Sequence, residues 1–446
     1  MRRGPGPRDG LPLKPFVSLP LGFAIMDRVD LEHRHRTYDG WIPPTVTALL
    51  HEHGHHDILR RAAAHGDWFC ARRLAEAAAG SGPDGRVTAL ALLRPFATTG
   101  WWRAVDDVAG LLAGWGRHDE AIVLLRPVAD TGHRYAQRDL ARLLARQDHL
   151  DQVVALLGPR AADLMLAEEL VELAAGHGRD AEIAALLPDV GTGPTDPFGP
   201  WSSDAVDTVP LHARFLELQG RIDEAAQLLA RYVRVDGAVY VDHAEQLARL
   251  LGRHGREAEL RAFPADDGEE YALAALAQLL EEQDRIPEAV ALLGQSAGAG
   301  NPHAAFGLAE LLARHGRHHE AVEVLWSAVE TAGGDSDWLM HLLCRILVDA
   351  GRAEDALDRL DDYCTRHGGD PRERALMKAE IMRLSGRAVD TEAEQSDFPG
   401  SDEELLHSGT MDGAIALAER LVRRGRPQQA LAHLRDRLDG PRSVRG

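Results

Sequence analysis

Apolar residues along most of this chain fall three and four positions apart, in runs that end at a glycine. Leu308, Leu311 and Leu312 form one such set, and Ala321, Val324, Leu325 and Ala328 form the next. A 3.6-residue helix gathers positions so spaced onto one stripe, so each run predicts an amphipathic helix. Gly316, between the two sets, predicts a left-handed stop, because a residue without Cβ meets no clash there. A second glycine, such as Gly132 or Gly300, closes the second helix in the same way.

The two-helix pattern repeats. LLRPFATTGWWRAVDDVAGLL at 92–112 lies over LLRPVADTGHRYAQRDLARLL at 124–144 without a gap, an offset of 32 residues. The frame returns as LLAGWGRHDEAIVLL at 111, LLARQDHLDQVVALL at 143, LLEEQDRIPEAVALL at 279 and LLARHGRHHEAVEVL at 311. Weaker copies carry Gly178-Arg179, Gly220-Arg221, Gly255-Arg256, Gly351-Arg352, Gly386-Arg387 and Gly425-Arg426. So short a helix pair cannot bury its own stripe, and neighbouring pairs must stack. The expected fold is all-α, an α-solenoid of helix-turn-helix repeats.

Composition agrees. Only 5% of the residues are aromatic, against 45% hydrophobic overall, and strands draw on aromatic and β-branched side chains. The expected organisation is an irregular segment at 1–45, a first block of repeats at 46–187, a Pro/Gly-rich interruption at 188–208 and a second block at 209–387. An acidic loop at 388–410 and a terminal helix pair with a basic tail at 411–446 follow.

Two stretches mimic catalytic motifs. HEHGHHD at 51–57 opens with H-E-x-x-H, in which His51 and His55 would hold zinc and Glu52 would act as base. The repeat frame places Gly54 where Gly316 ends a helix, which would put His51 and His55 on different helices. Ile58 and Arg61 stand where the extended zinc-peptidase pattern has its glycine and third histidine. A zinc-dependent hydrolase is therefore the alternative reading, and a cluster of helix-end histidines the leading one; His53, His177, His254 and His315 suit the negative end of a helix dipole. GQSAG at 294–298 fits the nucleophile elbow around Ser296, but it follows helix-patterned PEAVALL, not a strand, and reads as a linker. Neither Lys14 nor Lys378 follows a glycine, so no Walker loop exists. No catalytic residue, metal or cofactor is assigned.

The repeat resembles the tetratricopeptide repeat, with some likeness to its Sel1-type relative. That family places a small residue in the first helix and another twelve positions later in the second. Ala309 with Ala321, Ala109 with Ala121 and Ala277 with Ala289 keep this spacing, and small side chains permit close helix approach. The resemblance spans most of 46–438, roughly eleven or twelve units. It implies a concave face lined by the first helices, whose outward positions choose a partner. The matching positions are Arg72, Tyr135, Arg138, Arg142, Glu245, Arg249, Phe306, Glu310, Trp338, His341 and Arg345. Arginine and aromatic side chains are the types that anchor interfaces. The family's lysine and asparagine clamp has no counterpart, since Asn301 is the one asparagine.

Charge narrows the partner. With 70 acidic and 50 basic residues the net charge is −20, a field that repels nucleic acid. Arginines on the inner face would favour an acidic peptide or a C-terminal carboxylate; paired with carboxylates along their own helices, they would instead be ordinary surface charge. Trp101, Trp102, Trp115 and Trp326 read as packing between units. Three scattered cysteines, Cys70, Cys344 and Cys364, fit a reducing cytosol rather than a disulfide framework. No run of apolar residues is long enough to span a membrane, and prolines interrupt the basic start where a signal peptide would need a continuous apolar core. The arginine bias fits a GC-rich bacterial genome. The expectation is a cytoplasmic, non-enzymatic scaffold that binds a protein or peptide, with a regulatory or sensor module as a variant differing only in partner.

Overall fold

The computed structural model describes residues 26–190, 208–235, 237–264, 268–332, 336–368, 371–386, 405 and 410–438. Most of the expected interruption at 188–208 and of the acidic loop at 388–410 lies outside the described residues, as do residues 1–25 and the basic tail beyond 438. The chain divides into two compact units. One comprises Met1–Leu143 with Asp397–Gly446, the other Leu144–Ser396.

The first unit opens with α1 (Arg28–Thr37), followed by the pairs α2 (Pro44–Glu52) with α3 (His56–Ala64), α4 (Trp68–Ala79) with α5 (Gly82–Ala97), and α6 (Trp102–Gly114) with α7 (His118–Asp130). α8 (Arg134–Ala145) carries the chain over the division. The second unit contains α9 (Leu150–Leu157), then α10 (Leu164–Ala174) with α11 (Asp180–Leu186), α12 (Val209–Leu218) with α13 (Ile222–Val233), and α14 (Val241–Arg253) with α15 (Glu257–Arg261). It continues through α16 (Glu269–Glu282) with α17 (Ile286–Gly298), α18 (Pro302–Arg314) with α19 (His318–Ala332), α20 (Asp337–Asp349) with α21 (Ala353–His367), and α22 (Pro371–Leu384). The last pair, α23 (Met411–Arg423) with α24 (Pro427–Leu438), belongs to the first unit.

The architecture in each unit is an α-solenoid stack. Each first helix packs on its second, and first helices of successive pairs pack on one another, as α16, α18 and α20 do. The spacing of small residues explains the closeness. Ala309, Ala321, Ala109, Ala121, Ala277 and Ala289 are all buried, and a larger side chain would force the helices apart. In the second unit one hydrophobic core runs from Val209 to Ile381.

The turns follow one chemistry. At Gly316 (φ +74°) the amide donates to the Ala313 carbonyl at 3.0 Å, and the Arg317 amide donates to Leu312 at 2.8 Å, which is the Schellman closure. Asp148 (φ +59°) and Asp284 (φ +60°) occupy the same position in their repeats and adopt the same left-handed backbone. Aspartate tolerates this region better than most residues do. Between α13 and α14 two-residue strands, β1 (Arg234–Val235) and β2 (Ala238–Val239), pair antiparallel.

Two sequence expectations need correction. Residues 1–45 are not irregular throughout, because residues 28–37 form α1. Asp27 caps it, its Oδ1 accepting from the Val29 and Asp30 amides at 2.7 and 2.9 Å. α1 has one buried residue, Leu31, so no apolar stripe announced it. It is anchored through polar and aromatic edges: Trp101 Nε1 donates to Glu32 Oε2 at 2.8 Å, and His35 lies 5.2 Å from Phe69. The second correction concerns GQSAG. It is no linker, because α17 continues through it to Gly298 and its amides stay in the helical ladder.

Candidate binding face

The H-E-x-x-H stretch does not form a helical metal site. α2 ends at Glu52, His53 caps it, Gly54 takes φ +75° and His55 is already the N-cap of α3. The His51 ring lies 4.8 Å from His56 rather than against His55. Among the described residues no group of three or more His, Cys, Asp or Glu side chains could hold a metal ion.

In the first unit the expected binding positions lie among carboxylates. Arg72 on α4 pairs with Asp107 on α6 at 2.7 Å and with Glu76 at 3.4 Å. Arg138 pairs with Asp139 at 3.0 Å, and its guanidinium, with that of Arg134, lies over the Tyr135 ring at 5.4 and 4.9 Å. Arg142, one turn further along α8, is engaged as well. Burial, with the neighbouring Asp139 and Asp107 carboxylates, pushes Asp106 up to about 6. This strip alternates in sign, and its arginines are offset locally by acids.

The second unit gathers its candidates more tightly. Arg249 pairs with Glu245 one turn away at 2.6 Å. Phe306 on α18 and Trp338 on α20 face each other with ring centroids 5.3 Å apart, and His303 stacks on Trp338 at 5.1 Å. Arg345 reaches Glu310 at 3.2 Å. Phe306, Trp338, His341 and Arg345 line one groove of about 270 Å³, whose opposite wall is Met377, Ile381 and Leu384 of α22. The sequence pattern marks the repeat of α22 only through Gly386-Arg387, and in PRERALMKAEIMRL no Leu-Leu pair singles out Met377, Ile381 and Leu384 as a wall.

A second feature was visible only as a motif without a role. The arginine after the turn glycine bridges two second helices at Arg179 and Arg256, and at Arg221, Arg317 and Arg352 it pairs within its own helix. Arg256 binds Glu259 of its own helix at 2.5 Å and Asp223 of the preceding second helix at 2.6 Å. Arg285, after the turn aspartate, does the same with Glu288 and Glu257, both at 2.7 Å. Two of the His-Gly histidines, His254 and His315, join a parallel ladder. His254 Nε2 and the Arg253 guanidinium meet Glu217 at 2.9 and 2.8 Å, and His315 and Arg314 meet Glu281 at 3.0 and 2.7 Å. Burial works against the charged form of Glu217, yet bonds from Arg253, Arg214 and His254 outweigh it and hold the carboxyl down at about 2. These histidines therefore tie one repeat to the next.

No protein-family model and no curated protein matches the chain. Among solved structures it is similar to Naa15/Naa10 bound to HypK-THB, at 13% identity over 92% of this chain and 74% of that one, with a TM-score of 0.32. The maize pentatricopeptide repeat protein PPR10 aligns at 17% identity over 93% and 64%, TM-score 0.30, and yeast Tom70 at 11% over 83% and 93%, TM-score 0.22. At such scores the likeness assigns no family and no function. The helix-pair repeat rests on the chain's own geometry. No helix among the described residues is long and apolar enough to cross a membrane.

Proposed function

We propose that this chain is a non-enzymatic scaffold that binds a protein or peptide segment on its first-helix face, with the groove between α18, α20 and α22 as the principal seat. The observation that carries this reading is the convergence of Phe306, Trp338, His341 and Arg345 on one concavity walled by α22. An aromatic floor with a charged rim has the composition of an interface anchor point. Its partner is a segment with an apolar or aromatic side chain for the Trp338 floor and a carboxylate able to compete with Glu310 for Arg345. The paired state of Arg72, Arg138 and Arg249 makes those positions a weaker draw for an acidic segment, since each already has a carboxylate partner. Binding takes place in the cytoplasm.

The test is selection of peptides from a random display library on the full chain, followed by affinity measurement with Trp338→Ala and Arg345→Glu. Selected peptides are expected to be enriched in an aromatic-plus-acidic pattern and to lose at least about tenfold in affinity with either substitution. Peptides that bind both variants as tightly as the wild type would remove the groove as the seat.

A further inference from the structure

First helices of neighbouring repeats pack on one another throughout the second unit, and α2 packs on α4 in the first. One contact of this kind joins helices far apart in sequence: α2 also packs on α23, and both lie in the first unit. α2 thus has a first-helix neighbour on either side, although no chain connection places α23 there.

α23 and α24 form a complete repeat. Ala418 and Ala430 stand twelve positions apart and are fully buried, as Ala309 and Ala321 are. Gly425 (φ +70°) closes the turn, its amide donating to Val422 at 2.9 Å while the Arg426 amide donates to Leu421 at 2.8 Å. α2 buries Val46, Thr47 and Leu50, and α23 buries Ala414, Leu417, Ala418 and Val422. This is a repeat-to-repeat interface made without covalent continuity. Residues 385–410 separate α22 from α23 in the sequence, and a chain of that length reaches up to about 90 Å when extended.

We propose that the α2 flank is a docking surface for a helical pair, and that a second copy of this chain can supply the occupant: α23–α24 of one molecule seats on α2 of another. The occupant is identified by the one hairpin already seated there, since the same two surfaces meet whether they belong to one molecule or two. The molecule's own hairpin is held covalently to the chain that carries α2, so the closed monomer prevails in dilute solution and exchange follows unfolding at high concentration.

Two full-length variants test this. Val46→Glu spoils α2 and leaves α23–α24 intact, while Ala418→Glu does the reverse, so neither chain can close on itself. Each alone is expected to be monomeric, and an equimolar mixture is expected to give a 1:1 dimer by light scattering; a mixture that stays monomeric would overturn the proposal. In a second check, wild-type chains with two different tags are unfolded together and refolded at high concentration. Co-capture of the two tags is expected, falling at least about tenfold when both chains carry Ala418→Glu. Absence of co-capture, or co-capture that survives the substitution, would equally overturn it. Neither readout involves the Trp338 groove, so failure here leaves the proposed function standing.

Discussion

Glu217 at the end of α12 receives Arg253 of the next repeat in a two-point bond, Nη2 to Oε2 at 2.8 Å and Nε to Oε1 at 3.0 Å. Its side chain is only 6% exposed, so the carboxylate depends on its partners for the solvation that water would give. Glu217→Gln should destabilise the second unit by roughly 2 kcal/mol, the scale of hydrogen bonds to a charged group. The pH dependence follows from the depressed carboxyl. A folded pKa of about 2 against an ordinary 4.5 means that this stabilisation is present above pH 4.5 and is lost as pH falls toward 2. Urea melts at pH 7, 4 and 2.5 should show the gap between wild type and variant shrinking in acid; a constant gap would refute the assignment.

Asp67 should show the opposite slope. It is 3% exposed at the N-terminus of α4, and its Oδ2 and Oδ1 accept from the Ile42 and Cys70 amides at 2.6 and 3.0 Å. Burial outweighs those bonds and pushes its carboxyl from 3.8 up to about 6. The folded protein therefore holds this proton more tightly than the unfolded chain does. The contribution is complete below pH 3.8 and is lost as pH rises through 6. Asp67→Asn should cost about 1 kcal/mol for one lost backbone bond, and should remove the part of the pH 4–7 slope due to this residue. Denaturation midpoints at each unit of pH provide the check.

The left-handed turns separate backbone strain from packing. A Cβ built on Gly316 meets nothing within 4 Å, so any cost of a side chain there is conformational. Gly316→Ala should lose about 1 kcal/mol. Gly316→Asp should lose less, because Asp148 and Asp284 already hold this geometry in other repeats. Equal losses for the two substitutions, measured by chemical denaturation, would argue against the strain account.

Trp101 anchors α1. Its ring is 1% exposed and its Nε1 donates to Glu32. Trp101→Phe keeps most of the apolar volume and removes that bond, which should weaken the first unit by about 1 kcal/mol. Hydrogen exchange localises the effect: amides of residues 28–37 should exchange faster, with those of α6 little changed. Uniform acceleration across the unit would mean that the bond is not what holds α1.

Chain order and local chemistry settled a good deal of this protein. A 3.6-residue stripe, a glycine at the stop and alanines twelve apart are short-range facts, and from them the helix pairs, their turns and the break of the H-E-x-x-H stretch at Gly54 could be read before any coordinates. Backbone conformation and helix period depend on near neighbours, so they survive in the sequence. Tertiary structure alone decided the rest. α1 carries no apolar stripe and is held by Trp101 from a distant repeat; α23 seats on α2 from the far end of the chain; Met377, Ile381 and Leu384 close the groove opposite Trp338; and Arg72 and Arg345 find acids on neighbouring helices, Asp107 and Glu310. Each of these depends on which surfaces meet between helices tens to hundreds of residues apart, and spacing along the chain does not encode that pairing.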